Sequence, residues 1–298
     1  MKEIAIIGPT ASGKTALAVD IARECNALIL SLDSLAIYKH IDIISAKPTQ
    51  EEMRGIPHFG IDILEPHEHY SAAHYLDLYR QTRELARQAG KNLVIVGGSS
   101  FYLKTIMDGL SPEPEYSAKT LECVAMELRN ISQAHTLLCQ IDPEGGCLIA
   151  PNDRYRIEKA LLIYFETGIS PTQYWQNNPK ITVDHHIKLF EIDLDREVLR
   201  ERIAQRSQAM LDDGAIDEAA WLECHYTRAP KCMGSIGLKE ILDYFDGKIK
   251  KEQLASVIAM HTSQFAKRQI TFNRHQFEDV VKTDKDFLYH AILAYARA

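Results

Sequence analysis

The sequence predicts an α/β protein whose core is a parallel β-sheet flanked by helices, with a helical domain inserted in the chain. Short, mostly apolar runs alternate with helical stretches, a pattern typical of parallel strands that are buried on both faces. A glycine-rich phosphate-binding pattern joins the first run to the first helix. A long helical region then separates the fourth apolar run from a later one.

Each strand is assigned from a short apolar run that is bounded by turn residues or polar residues. We predict strands at Ile4–Ile7, Ala27–Leu32, Ile61–Leu64 and Leu93–Val96, and a further strand-like run at Ile187–Leu194. Helical spacing extends from Lys14 to Cys25 and from Ser71 to Ala89. The chain from about 196 to 278 is mostly helical, with glycines at its turns.

The inserted region is bounded by loop signals. Two closely spaced prolines mark a loop at 111–116, and Pro- and Gly-containing turns interrupt the helical pattern that follows. We therefore predict that residues 117–180 form a helical insertion domain. Residues 1–116 and 181–298 would form the α/β core together with a C-terminal helical part.

Composition excludes several classes of protein. The 298 residues carry a formal charge of −7, which argues against a protein that coats nucleic acid through its overall field. The six cysteines show no metal-binding or redox spacing. No run approaches the roughly 20 apolar residues that cross a bilayer, and the N-terminal run is too short for a signal peptide. We expect a cytoplasmic protein with no membrane partner.

The first loop matches the phosphate-binding P-loop pattern in its expected place between a strand and a helix. Its residues are Gly8, Pro9, Thr10, Ala11, Ser12, Gly13, Lys14 and Thr15. Backbone N–H groups and the helix N-terminus face an anion in such loops, and lysine adds a positive charge. The Thr15 hydroxyl is the predicted Mg²⁺ ligand. The pattern indicates a di- or triphosphate and leaves the chemistry open.

An ordinary nucleoside triphosphatase needs a second carboxylate at a strand end to hold the metal. Here the fourth strand ends in Gly97-Gly98-Ser99-Ser100, without an acid, and no Asn-Lys-x-Asp segment reads a guanine base. These absences disfavour a nucleoside triphosphatase. A small-molecule or nucleotide kinase that uses ATP at the same loop remains the alternative, followed by an RNA-binding protein without catalysis.

Two polar residues follow predicted strands at the edge where open α/β sheets bind ligands. Asp33 follows the second strand, where a carboxylate can accept a proton from a nucleophile. The alternative is that Asp33 caps a short helix beginning at Ser34. Ser99 follows the fourth strand and can direct its hydroxyl into the same crevice, although such a segment is often a simple turn.

With these residues in place, the sequence resembles the bacterial tRNA dimethylallyltransferases, also called tRNA isopentenyltransferases. The resemblance spans nearly the whole chain, in the family's order. Its segments are Gly8 to Thr15, Ser31 to Ser34, Ile37-Tyr38, Asp42-Ile43, Ala46 to Pro48, Gly97 to Ser99, Tyr102-Leu103, Asn152-Asp153, Arg156, Lys159 to Leu161, Arg202, Arg206, Met210-Leu211, Ile236 to Glu240 and Ala266 to Thr271.

The resemblance implies transfer of the dimethylallyl group of dimethylallyl diphosphate to N6 of the adenine just 3′ of the tRNA anticodon, in tRNAs reading codons that begin with U. It implies a P-loop nucleotide-kinase-like core, a monomer, and Mg²⁺ as cofactor. Lys14 and Arg206 would stabilise the leaving diphosphate. Asp33 would take up the proton of the attacking amine, and Ser99 would help place it.

The resemblance also assigns contacts with the tRNA anticodon stem-loop to four segments and to Ser99. The residues are Asp33, Ser34, Leu35, Ala36, Tyr155, Arg156, Ile157, Glu158, Lys159, Gly234, Ser235, Ile236, Gly237, Leu238, Lys239, Lys267, Arg268, Gln269, Ile270, Thr271, Phe272, Asn273 and Arg274. Between Glu252 and Glu278 no acidic residue occurs, whereas cations and phenylalanines do, which suits phosphate contacts and base stacking. Those phenylalanines are also compatible with an ordinary helix core.

Some positions depart from the family pattern. Ser99 stands where threonine is usual, and His40 and Ile44 replace glycines, which predicts a different backbone path for the loop after Asp33. Leu238 replaces a tyrosine, and Asn273 falls where a hydrophobic residue is common. The predicted catalytic residues are otherwise intact.

Overall fold

The computed structural model describes residues 1–182 and 185–298. The strands are β1 Glu3–Ile7, β2 Ala27–Leu32, β3 His58–Phe59, β4 Asn92–Gly97, β5 Ile187–Ile192 and β6 Val281–Thr283. The helices are α1 Lys14–Glu24, α2 Gln50–Met53, α3 Ala72–Gln88, α4 Ser100–Asp108, α5 Ala118–Glu127, α6 Ile131–Ile141, α7 Arg154–Thr167, α8 Pro171–Asn177, α9 Arg196–Asp212, α10 Ala215–Tyr226, α11 Leu238–Phe245, α12 Lys251–Gln276 and α13 Lys285–Arg297.

The strands form one parallel sheet in the order β3-β2-β4-β1-β5-β6. Its central strands are apolar because helices cover both faces, and every residue of β1 is buried. Since β4 lies between β2 and β1, the segments that follow these three strands come side by side at one edge. The predicted parallel sheet flanked by helices is confirmed.

The third predicted strand is wrong. The run Ile61–Leu64 lies in turns, and its backbone is held by the loop after β2, with the N–H groups of Ile63 and Leu64 donating to Ile37 O at 2.8 and 3.1 Å. Strand β3 lies just before it and has only two residues. Strand β6 and helix α13 were not predicted, because β6 is short and partly exposed and carries no apolar run.

The chain divides into two compact units, each with its own apolar core. One comprises Met1–Met107 with Asp184–Ala298, and the other comprises Asp108–Val183. The first has a core between the sheet and the helices α1 and α13. In the second, α5, α6 and α7 enclose buried residues that include Val124, Leu138 and Leu161.

The predicted insertion at 117–180 lies within the second unit. This unit also includes 108–116, which the sequence assigns to the α/β core. An antiparallel bridge between Leu110 and Ile181 joins the two ends of this unit. Positions 183 and 184, which the predicted core segment 181–298 includes, lie outside the described residues. Along the residues that are described, no helix combines the length and apolar character needed to cross a membrane.

Candidate active site

The P-loop connects β1 to α1, and Lys14 is the first residue of the helix. The Lys14 ammonium folds back over the loop, donating to Pro9 O at 2.5 Å, and lies 3.4 Å from Ser12 Oγ. Thr15 follows in the first helical turn and is exposed. Because the first N–H groups of a helix have no intrahelical partner, they are available to an anion held beside this lysine.

The charge of Lys14 depends strongly on its surroundings. Burial and, to a smaller extent, the nearby Arg206 guanidinium together lower the pKa of Lys14 to about 7, and the Asp33 carboxylate opposes both effects. The lysine therefore loses its proton near neutral pH. A diphosphate beside it would restore the charged form, since an opposite charge raises the pKa of a lysine.

Helix α9 brings two arginines, one turn apart, against the same loop. Arg206 Nη1 donates to Thr10 Oγ1 at 3.3 Å, and Arg202 Nη1 lies 3.4 Å from Ser12 O. Burial lowers the pKa of Arg206, and Asp33 counteracts this. Arg202 was not predicted as a site residue. The spacing of four residues between the two arginines is the signal that both share one helix face.

Asp33 fixes the turn that follows β2. Its Oδ1 accepts hydrogen bonds from the backbone N–H groups of Leu35 at 2.8 Å and Ala36 at 3.2 Å. The alternative drawn from sequence, a capping role, is thus partly met, although the segment forms a turn and not a helix. No hydrogen bond from the described residues reaches Oδ2, so this oxygen remains available to a ligand.

Ser99 lies next to this turn because β4 pairs with β2. Its Oγ accepts a hydrogen bond from Ser34 N at 3.2 Å, and its own N–H donates to Leu32 O at 2.9 Å. The hydroxyl proton of Ser99 is left free to donate elsewhere. The structure therefore brings Asp33 and Ser99 together, and Asp33 lies near enough to Lys14 and Arg206 to raise the pKa of both.

Three tyrosines form an aromatic cluster beside Asp33, which sequence reasoning missed. Tyr75 stacks on Tyr102 with ring centroids 4.6 Å apart, and the ring of Tyr70 stands perpendicular to both. Tyr75 donates to Ser31 O at 2.6 Å. Burial raises the pKa of Tyr70 and Tyr75, so both phenols stay neutral. The cluster is therefore uncharged and is tied through Tyr75 to the end of β2.

A cavity of about 690 Å³ lies between α9 and α12. It has an apolar floor that includes Leu199, Ile203 and Ile270, with Lys267 and Arg274 at its edge. Of the P-loop it touches Pro9, and it is lined by none of Lys14, Asp33, Ser99 and Arg206. This cavity is therefore separate from the place where the four predicted catalytic residues meet.

Comparison with known proteins identifies the family. A family model described as IPP transferase matches residues 36–276. A tRNA dimethylallyltransferase of Sulfurovum sp. is 50% identical over 283 residues, covering 95% of this chain and 94% of that protein. One from Aliarcobacter butzleri is 48% identical over 295 residues, covering 99% of each. The chain belongs to the IPP transferase family.

Solved structures of similar proteins support the same family assignment. A tRNA isopentenylpyrophosphate transferase from Bacillus halodurans superposes with a TM-score of 0.73 at 31% identity, covering 99% of this chain and 95% of that one. A eukaryotic dimethylallyltransferase acting on tRNA gives a TM-score of 0.83 at 26% identity, covering 95% of this chain and 74% of that one. The protein is thus a prenyltransferase of this family, and these likenesses support that activity over the kinase alternative.

In this IPP transferase, helix α12 carries the predicted RNA segment Lys267–Arg274 on several faces. Lys267, Thr271 and Arg274 line the cavity beside α9, and Arg268 is exposed with its guanidinium 5.7 Å from the ring centroid of Phe265. Ile270 and Phe272 are partly buried, and Gln269 and Asn273 are buried. Contact between the last two side chains and tRNA stays a prediction.

The other predicted RNA segments also contain both exposed and buried residues. Tyr155 and Arg156 are exposed, Glu158 and Lys159 partly so, while Ile157 is fully buried. Ser34, Gly234 and Lys239 are exposed, and Leu35, Ser235 and Ile236 are partly so. Ala36, Gly237 and Leu238 are buried. The side chains of Ala36, Ile157 and Leu238 pack inside the protein, and tRNA contact at these positions stays a prediction.

The loop after Asp33 keeps a backbone that suits glycine despite the departures from the family pattern. His40 has φ +64°, in the left-handed region, and its ring lies 4.8 Å from that of Trp221. The buried Ile44 donates its N–H to Glu218 Oε1 at 3.0 Å, and the other Glu218 oxygen accepts from two preceding N–H groups. His40 thus adopts a backbone conformation that glycine adopts readily.

Proposed function

We propose that this protein transfers the dimethylallyl group of dimethylallyl diphosphate to N6 of the adenine just 3′ of the anticodon, in tRNAs reading codons that begin with U. The products are N6-isopentenyladenosine and diphosphate. The observation that supports this most is the meeting of a P-loop with the Asp33–Ser99 pair at the ends of adjacent strands. A cationic loop and an oxygen-rich pair face one crevice.

The P-loop side of the crevice holds the leaving group. Lys14 and Arg206 stabilise the negative charge that grows on the diphosphate as the allylic C–O bond breaks. Arg206 is already fixed to the loop through Thr10, so it needs little rearrangement. The charged form of Lys14 is favoured once the diphosphate lies beside it.

A Mg²⁺ ion fits this site as a partner of the diphosphate. No group of three His, Cys, Asp or Glu side chains among the described residues could hold a metal. Mg²⁺ often binds one or two protein oxygens together with substrate phosphates and water, and the exposed Thr15 hydroxyl in the first turn of α1 offers one such oxygen. When bound there, the ion supplies positive charge to the diphosphate.

The opposite side of the crevice prepares the nucleophile. A neutral adenine amine is a weak nucleophile, and Asp33 Oδ2 accepts a hydrogen bond from it and takes up its proton during attack. The Ser99 hydroxyl donates a hydrogen bond to the adenine and so fixes the position of the base. The adenine leaves its stack to enter the crevice, which costs a few kcal/mol.

Product analysis tests the proposal. Purified protein is incubated with Mg²⁺, dimethylallyl diphosphate and an anticodon stem-loop, and the digested RNA is analysed by liquid chromatography and mass spectrometry. We expect isopentenyladenosine from the adenosine substrate. A matched stem-loop with inosine at the target position, which lacks the amine, should give none. Consumption of ATP without isopentenyladenosine would favour a kinase.

Light scattering of the purified protein tests the expected monomer.

A further inference from the structure

Gln269 connects the two loops that carry the reactive groups. It lies on α12 and is only 6% exposed. Its Oε1 accepts a hydrogen bond from the backbone N–H of Thr10 at 2.9 Å, and its Nε2 donates to the carbonyl of Gly98 at 2.9 Å. One amide group thus joins the P-loop after β1 to the loop after β4.

Both contacts are close to the reacting groups. Thr10 also receives the Arg206 guanidinium on its hydroxyl, and Gly98 directly precedes Ser99, which is tied to the Asp33 turn through Ser34. The fit is tight, since a Cβ added at Gly98 would lie 2.2 Å from Gln269 Nε2. Any movement of Gln269 therefore changes the spacing between the diphosphate loop and the nucleophile loop.

The same residue lies within the predicted tRNA segment of α12. Its neighbours Lys267 and Arg268 are exposed on other faces of the helix and carry the positive charge expected to meet the RNA backbone. Because a helix moves as a rigid unit, RNA that shifts or immobilises α12 acts directly on the two hydrogen bonds of Gln269.

We propose that Gln269 is a positioning residue that sets the P-loop against the Ser99 loop and couples tRNA binding on α12 to diphosphate binding. The proposal rests on the proposed function. By linkage the coupling is reciprocal, so RNA increases the affinity for diphosphate by the same factor as diphosphate increases the affinity for RNA. If the hydrogen bonds of Gln269 only stabilised the fold, RNA and diphosphate would not change each other's affinity.

The first test uses Gln269→Glu, which keeps the size of the side chain. The protonated carboxyl accepts from Thr10 and donates to Gly98, as the amide does, whereas the ionised form places an oxygen against the Gly98 carbonyl and cannot donate. We expect kcat at least about 10-fold below wild type at high pH, with the ratio to wild type recovering as pH falls. Dividing the variant's kcat by that of wild type at each pH cancels the titration of Lys14, which both proteins share.

The pH result can also overturn the proposal. A ratio that stays constant with pH would mean that the Gly98 hydrogen bond does not position the loops. Gln269→Leu, which removes both hydrogen bonds, should lose kcat at every pH and show no recovery. Thermal unfolding of each variant, followed by circular dichroism, shows whether a loss of kcat accompanies a folded protein.

The second test measures coupling without turnover. Inorganic diphosphate is titrated by calorimetry into wild type and into both Gln269 variants, with and without the anticodon stem-loop. We expect the stem-loop to increase diphosphate affinity in wild type and to change it less than about twofold in Gln269→Leu. Gln264→Leu, an exposed glutamine on the same helix, is the matched control and should keep the wild-type factor.

Equal coupling factors in wild type and Gln269→Leu would overturn the proposal, as would the absence of coupling in wild type. These binding measurements do not depend on product formation. Failure of wild type to form isopentenyladenosine would reject the proposed function, whereas the calorimetry would still judge the role of Gln269.

Discussion

The Asp33 carboxylate uses its two oxygens differently. Oδ1 holds the turn by accepting two backbone N–H groups, whereas Oδ2 receives no hydrogen bond from the described part of the chain. An aspartate bonded in this way has a fixed orientation, so its second oxygen is preorganised for the amine. The structural and chemical interpretations of Asp33, which compete at the level of sequence, are therefore compatible.

This division predicts different effects for two substitutions. Asp33→Asn keeps an oxygen for the turn and removes the base, so we expect kcat to fall by roughly 10² or more with tRNA affinity nearly unchanged. Asp33→Ala also loses the turn and should bind tRNA more weakly. Initial rates of isopentenyladenosine formation and anisotropy of a labelled stem-loop measure the two effects. Wild-type kcat in Asp33→Asn would remove Asp33 from the role of base.

The lowered pKa of Lys14 predicts a pH-dependent affinity for dimethylallyl diphosphate. Above pH of about 7 the free protein has lost the lysine proton, and binding the anion must take it up again. Affinity should therefore fall as pH rises above 7, by up to about tenfold per pH unit. Calorimetry from about pH 6.5 to 9 measures this, because the diphosphate is largely ionised there.

Lys14→Met is the control for this prediction, since it has no proton to exchange. Its affinity should be weaker and nearly independent of pH. A flat profile in wild type would show that Lys14 stays charged in the free protein.

At the scale of elements, α12 serves several purposes on different faces. Its 26 residues include Gln269, which faces the catalytic loops, Lys267, which lines the cavity beside α9, and Arg268, which is exposed. Asn273 faces inward and donates to Glu191 Oε1 at 3.2 Å. Since successive residues of a helix point about 100° apart, a continuous motif in sequence becomes separate surfaces in space.

The exposed cations of α12 predict a salt-dependent tRNA affinity. Lys267→Ala and Arg268→Ala should each weaken binding and reduce the slope of log affinity against log salt by about 0.7 to 0.9, the value for one phosphate contact. Anisotropy of a labelled stem-loop between about 50 and 200 mM salt measures this. Lys251→Ala, at the exposed start of the same helix, is the control and should leave the slope unchanged. An unchanged slope in Lys267→Ala and Arg268→Ala would contradict the assignment.

At the scale of the whole molecule, function depends on local charge and on strand order. The chain has a formal charge of −7, so tRNA must be recognised through patches such as the exposed face of α12. The order β2-β4-β1 brings the ends of three strands together, and each contributes one part of the crevice. The site is therefore formed at the carboxyl ends of three central strands and not by any single segment.

The sequence by itself determined the features that depend on neighbouring residues. The spacing of Gly8 to Thr15 predicts the P-loop, and mostly apolar runs predict β1, β2, β4 and β5, because both signals are local. The run Ile61–Leu64 misled this reasoning, since none of its residues is buried and its backbone bonds to the loop after β2. Strand β6 carried no signal, because its place in the sheet comes from pairing with β5.

Only the tertiary structure decided how the parts of the site meet. Gln269 lies 171 residues from Gly98 and 259 from Thr10 in sequence, yet it contacts both. The burial of Gln269, Asn273 and Leu238 is likewise invisible in a motif that lists them beside exposed cations. The physical reason is that burial and long-range hydrogen bonds are set by the packing of helices on the sheet, and no local pattern encodes that packing.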